Sequence, residues 1–240
     1  TLTGRLSKLG ADVYEYPCIR TEPIIPCPEM EAALNRLGDY THLVLTSPAG
    51  VEALWGMLER EGKDARALSG VTLAAIGPGT DRELRKHGLR ADYIPAVYDA
   101  AHLGAGLAGM VSGRVLILRA ELGSPALTEA LERGKIPYDD IHCYTTAYES
   151  EHAAALRALI REDKVDIVTF TSASTVRGFA HSVGEDLDFS RVLGACLGEQ
   201  TAAEARRYGI RTRVAAQAPM DALIDIIIKE GNETWNLSSV

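Results

Sequence analysis

Two hydrophobic periods alternate along the chain. Residues 42–47 (HLVLTS) form a short apolar run closed by Thr-Ser, the pattern of a buried strand, and residues 48–61 continue with helical spacing. Residues 166–172 (DIVTFTS) repeat the arrangement, with a helix pattern from Ala173 onward. Thr46-Ser47 and Thr171-Ser172 stand 125 positions apart. Residues 71–90 (VTLAAIGPGTDRELRKHGLR) match residues 192–211 (VLGACLGEQTAAEARRYGIR) at an offset of 121, with Gly77/Gly198, Thr80/Thr201, Glu83/Glu204 and Arg90/Arg211 coinciding. A looser match pairs residues 9–14 with 133–138. So long a period indicates a duplicated domain, since solenoid repeats run about 20–50 residues.

Each half alternates short strands with amphipathic helices, which predicts mainly parallel sheets covered on both faces. The fold expected is α/β, with two Rossmann-like or flavodoxin-like domains built from one duplicated unit. The second half has a strand at 115–119 ahead of its helix at 124–133, and its counterpart in the first half falls before residue 1. The expectation is therefore a chain that begins inside its first helix, without its first strand. Residues 17–28 (PCIRTEPIIPCP) hold four of the ten prolines and must be extended. Residues 143–149 (CYTTAYE) are their partner in the repeat. Two such crossings predict a two-stranded hinge, an inserted domain at 24–143, and a discontinuous domain made of 1–21 and 147–240.

Composition narrows the class. With 46% hydrophobic and 24% charged residues, the chain reads as an ordinary globular protein. No apolar run approaches the ~20 residues that cross a bilayer, and residues 222–228, broken by Asp225, read as a buried helix. The first ten residues form a polar amphipathic pattern unlike a signal peptide. Cys18, Cys27, Cys143 and Cys196 make no C-x-x-C pair, which predicts a reduced, cytoplasmic protein. There Asn232-x-Thr234 is a chance glycosylation pattern. A formal charge of −8 argues against nucleic-acid binding and requires any anionic ligand to be held by local groups.

The candidate chemistry gathers at helix starts. Ser47-Pro48 reads as an N-cap serine with proline in the first helical position. Thr80-x-x-Glu83 and Thr201-x-x-Glu204 read as capping boxes, and Ser172 or Ser174 caps a fourth helix. Any one of these has a sufficient role in starting its helix. Grouped outside the carboxyl ends of parallel strands, they also offer unpaired N–H groups to anions. Four in symmetric halves suit a ligand with several anionic groups, bound between the two domains. The glycine turn at 77–80 lacks a Walker lysine and is not G-x-G-x-x-G. No metal-ligand spacing appears among the six histidines, and no G-x-S-x-G elbow occurs. With no cofactor motif, what remains is a reaction run by orientation and charge stabilisation. Tyr144, in the expected hinge, is either a packing residue or a proton donor to a leaving hydroxyl.

The segments LVLTSPAGVEAL (43–54), AAIGPGT (74–80), LILRAELGSPAL (116–127), CYTTAYE (143–149), TFTSASTV (169–176) and LGEQTAAEARRYGI (197–210) together resemble the uroporphyrinogen-III synthase family over nearly the whole chain. The family's first strand, ending in Thr-Arg-Pro, has no counterpart. The resemblance implies a cofactor-free monomer whose substrate is hydroxymethylbilane, a linear octacarboxylate closed into uroporphyrinogen III with inversion of ring D. It implies that Tyr144 aids hydroxyl departure and that Thr80 and Thr201 flank the cleft. Ser47 and Ser172, with Ser174 beside the latter, would bind carboxylates through surrounding amides, and Arg119 would be a carboxylate partner. Ala49 stands where many relatives carry a larger polar residue. Some relatives are fused to a uroporphyrinogen methyltransferase. Two other classes compete: a two-lobed, non-enzymatic binding module for a polyanion, and a nucleotide-dependent transferase, whose phosphate loop is not found.

Overall fold

A computed structural model describes residues 2–184, 187–215 and 221–237, excepting the side chains of Asp221 and of 232–237, where Asn232-x-Thr234 lies. The chain forms two compact units. The central unit is Thr21–Thr146, and the terminal unit combines Thr1–Arg20 with Ala147–Val240.

Helix α1 (Leu2–Lys8) belongs to the terminal unit, and strand β1 (Ile19–Pro23) then leads into the central one. The central unit continues through α2 (Pro28–Asn35), β2 (Tyr40–Leu45), α3 (Pro48–Arg60), β3 (Thr72–Ala75) and α4 (Pro78–Lys86). It closes with α5 (Ala100–Met110), β4 (Arg114–Ala120), α6 (Ala126–Arg133) and the long strand β5 (Tyr138–Tyr148). The sheet order is β1-β5-β4-β2-β3, with β5, β4, β2 and β3 parallel. Leu43 is paired with Leu73 on one side and Leu116 on the other.

Because helices cover both faces, the inner strands are apolar without alternation. In β2, Leu43, Val44 and Leu45 are all fully buried, and the strand's period of two sorts them. Leu43 and Leu45 pack with Leu54 and Leu58 of α3, while Val44 packs with Leu103 and Leu107 of α5. Gly104 lets α5 close on α6, since a Cβ there would lie 2.7 Å from Ala130 Cβ.

The terminal unit resumes with α7 (Ala153–Arg161), β6 (Ile167–Phe170), α8 (Ala173–Val183), β7 (Leu193–Cys196), α9 (Glu199–Arg207), β8 (Arg211–Val214) and α10 (Asp221–Leu237). Its sheet is β6-β7-β8, all parallel, with β6 at an edge among the described residues. Phe170, Phe179 and Phe189 fill the core, with successive ring centroids 5.3 and 5.8 Å apart. Gly178 of α8 lies against the chain at Cys18, whose carbonyl would be 2.5 Å from an added Cβ.

The segment at 222–228 is amphipathic rather than buried throughout. Leu223 and Ile224 are enclosed, Asp225 is exposed, and Ile228 is 41% exposed. Among the described residues, no helix is long and apolar enough to cross a membrane.

Candidate active site

In the central unit, β2 runs into Thr46-Ser47 and then α3. Ser47 is extended (φ −164°, ψ 160°), and its Oγ accepts the Gly50 N–H at 3.0 Å, with Pro48 in the first turn. Gly50 permits a close approach to β4, because a Cβ would sit 3.3 Å from the Leu118 carbonyl oxygen. Tyr144 reaches the same serine from β5, its hydroxyl donating to Ser47 Oγ at 2.6 Å. The Tyr144 ring belongs to the core and is 7% exposed. Burial raises its pKa above the ordinary tyrosine value, against the lowering effect of the Ser47 hydrogen bond, and the neighbouring Cys143 adds to the rise. The phenol is therefore a neutral donor. Tyr144 and Cys143 line a cavity of about 320 Å³ together with Ala49, Met57, Glu52 and Arg60.

The start of α4 corrects the capping-box reading. Gly77 is the N-cap and Pro78 the first helical residue, so Thr80 lies inside the first turn, 2% exposed. Glu83 pairs with Lys86 at 2.8 Å and does not reach back to a cap. A buried acid, Asp81, does the bracing there: its carboxylate accepts the Ala91 N–H at 2.8 Å and Arg85 at 2.7 Å. Burial works to raise its pKa, but those partners outweigh it and hold the carboxyl below its usual range. Tyr98, 42% exposed, packs over Gly77, where a Cβ would come within 3.2 Å of it.

Arg119 is a carboxylate partner, but of its own chain. Its Nε and Nη2 donate to both oxygens of Asp140 at 2.7 and 2.5 Å, and Nη1 donates to the Ser124 carbonyl at 2.5 Å. With its side chain 8% exposed, the guanidinium is occupied in bracing β4 against β5.

In the terminal unit, Ser172 rather than Ser174 caps α8. Its Oγ accepts the Thr175 N–H at 3.3 Å, and Thr175 Oγ1 accepts the Ser172 N–H at 3.2 Å, a capping box that uses threonine in place of glutamate. Ser174 Oγ lies 2.9 Å from Ser172 Oγ. Helix α9 is capped by Gly198, whose φ of 97° favours glycine. Thr201 is again inside the first turn, 4% exposed, and donates to the Leu197 carbonyl at 3.3 Å. Glu204 pairs with Arg177 and Arg207, so this second capping box is also absent. The structure thus brings Ser47 to Tyr144 and Ser172 to Ser174, while Thr80 and Thr201 each stand in a first turn of their own unit.

One further cluster escaped the motif reading. Glu83 of α4 and His87, which caps the end of that helix, meet Glu52 of α3, with one oxygen or nitrogen from each all within 4.8 Å. The i, i+4 spacing of Glu83 and His87 was visible in the sequence, but the Glu52 contact was not. Lys86 neutralises Glu83, and Trp55 stacks on His87 at 4.3 Å, so the cluster ties α3 to α4.

Among the described residues, no histidine is hydrogen-bonded to Ser47, Ser172 or Ser174. The arrangement offers first-turn amides that accept anions, a neutral phenol on a serine, and cations largely paired within their own helices. Arg85 pairs with Asp81, Arg206 with Glu199 and Arg207 with Glu204.

A family model described as Uroporphyrinogen-III synthase HemD matches residues 1–225. The chain is 33% identical over 233 residues to the Porphyrin biosynthesis protein HemD of Ruminiclostridium josui, covering 96% of this chain but 46% of that protein. The chain thus spans slightly under half of that relative's length. It is 28% identical over 240 residues to a Uroporphyrinogen-III synthase of Synechococcus elongatus, covering 96% of this chain and 90% of the relative. Among solved structures, a mutant uroporphyrinogen III synthase from Thermus thermophilus is similar with a TM-score of 0.66 at 19% identity, covering 97% of this chain and 94% of that one. A uroporphyrinogen-III synthetase from Helicobacter pylori has a TM-score of 0.62 at 17% identity, covering 92% and 95%. At these identities the structural likeness speaks for the fold alone.

Proposed function

Because the chain belongs to the uroporphyrinogen-III synthase family, we propose that it closes hydroxymethylbilane into uroporphyrinogen III, a water-eliminating lyase reaction that inverts ring D. Loss of the substrate hydroxyl gives an azafulvene cation. Attack through the substituted carbon of ring D gives a spiro intermediate, and its reopening and reclosure set the type III isomer. Unassisted closure gives type I, so the enzyme's task is control of geometry.

The observation that carries this reading is the Tyr144 hydroxyl held on Ser47 at the start of α3, beside a cavity. A phenol kept neutral by burial suits the departure of a hydroxyl. The first-turn amides of α3 and α4, and of α8 and α9 in the terminal unit, take the substrate carboxylates, with Ser47, Thr80, Ser172, Ser174 and Thr201 shaping those turns. Backbone amides carry this binding more than arginine clamps do. The net charge of −8 and the internal pairing of Arg119 support that division. A Michaelis constant that rises steeply with salt would contradict it.

The reading also takes β2-α3-β3-α4 and β6-α8-β7-α9 as copies of one duplicated unit, and β1 and β5 as a hinge. The matching element order and the two chain crossings support it. The deciding experiment incubates the protein with freshly generated hydroxymethylbilane, oxidises the products and separates type I from type III porphyrin. Predominant type III is expected. Type I alone, from folded protein, rejects the reading and favours a non-enzymatic binding module.

A further inference from the structure

Two hydrogen bonds converge on the Ser47 oxygen. The Gly50 amide donates from 3.0 Å and the Tyr144 phenol from 2.6 Å. A hydroxyl has two acceptor positions and one hydrogen, so both acceptor positions of Ser47 are filled. What it retains is its own hydrogen, which makes it a committed donor toward any third group. Hydrogen bonds in a chain polarise one another, so the bond received from Tyr144 strengthens the bond that Ser47 can give. Access separates the two hydroxyls. Ser47 is half-buried, whereas Tyr144 is 7% exposed and its hydrogen is already engaged.

Building on the synthase reading, we infer that Ser47 is the catalytic residue at the departing hydroxyl and that Tyr144 is a positioning residue acting through it. As the C–O bond of the hydroxymethyl group breaks, its electron pair leaves with the oxygen, and the pyrrole nitrogen supplies the pair that stabilises the carbon. Ser47 donates its hydrogen bond to that oxygen, where negative charge grows. The hydroxide becomes water with the proton released by the ring D carbon that closes the final bond. Ser47 and Tyr144 keep their own protons throughout, in accord with a phenol whose burial favours the neutral form.

The test measures turnover and type III fraction for wild type, Ser47→Ala, Ser47→Thr, Tyr144→Phe and the Ser47→Ala/Tyr144→Phe double variant. Ser47→Ala is expected to lower kcat about 100-fold with little change in KM, the scale of losing one preorganised donor. Ser47→Thr, which keeps hydroxyl and cap, restores most of that loss. Tyr144→Phe lowers kcat about 10-fold, the equivalent of one ordinary hydrogen bond, and costs nothing more once the serine hydroxyl is gone. Thermal midpoints are taken for every variant, because Ser47→Ala also removes a helix cap. Equal losses from Tyr144→Phe in both backgrounds, or full turnover by Ser47→Ala, overturn the inference. Wild-type protein that yields type I alone overturns the synthase reading, and this inference falls with it.

Discussion

Helices α3 and α8 both follow a strand that runs out into Thr-Ser, and both serines are extended caps, yet their oxygens are used differently. Ser172 is closed into a local set with Thr175 and Ser174, all within four residues. Ser47 accepts one local amide and one phenol from 97 residues away. The difference lies in the neighbourhood of each strand. In the central sheet, β4 and β5 follow β2 on one side, and β5 brings Tyr144. Strand β6 stands at an edge among the described residues. Short-range sequence thus writes the cap, and sheet order decides what is added to it.

Severing β4 from β5 is the strongest way to break the contrast. Arg119→Met leaves Asp140 without its cation and is expected to cost about 3 kcal/mol in urea unfolding. Adding Asp140→Leu should recover most of the loss, and a double variant no better than the single would show that the pair is not what braces these strands. Next come the helix glycines. Gly178→Ala drives a Cβ onto the Cys18 carbonyl and should cost about 2–3 kcal/mol. Gly50→Ala meets only tight contacts, which a gain of about 1 kcal/mol in helix propensity offsets. Equal melting-point losses for the two would contradict those distances.

A smaller effect tests the local cap. Thr175→Val removes one arm of the α8 box, for about 1 kcal/mol and a fall in Tm of about 2–4 °C for a chain of this size. Alkaline titration separates the units most finely. Burial pushes the Cys143 thiol up to about 12 in the central unit and Cys196 to about 11 in the terminal one. A pKa raised on folding contributes stability that is complete below the unfolded value, about 8.5 for cysteine, and fades as pH climbs toward the folded one. Urea midpoints should therefore drop from about pH 9 upward, with Cys143→Ala flattening the drop more than Cys196→Ala.

Much of the fold was legible because it rests on period and breakers. The apolar runs at 42–47 and 166–172 became β2 and β6, and the prolines between 17 and 28 kept that stretch out of helices until α2 began at Pro28. The helices α5 and α7 were not anticipated. Helix α5 is rich in alanine and glycine, so its apolar stripe is faint, whereas α7 is plainly amphipathic and its signal lay in the sequence. The two misread capping boxes have a local cause. Pro78 marks the first helical residue, which puts the cap at Gly77 and Thr80 one turn inside. That clue was present in the sequence and outweighed by the T-x-x-E pattern. The engagement of Arg119 by Asp140, and of Ser47 by Tyr144, had no sequence signal, since strand order had to place them first.

The interruption of the terminal unit by the central one has a consequence for synthesis. The central unit is one unbroken stretch, Thr21–Thr146, and everything it packs against within itself is available once its last strand leaves the ribosome. Helix α1, made before that unit, contacts α10, made well after it. At about 5–20 residues per second, α1 waits for its partner while roughly 210 intervening residues are added. The nascent chain thus matures from the middle outward, and a helix made ahead of the central unit is among the last to find its place.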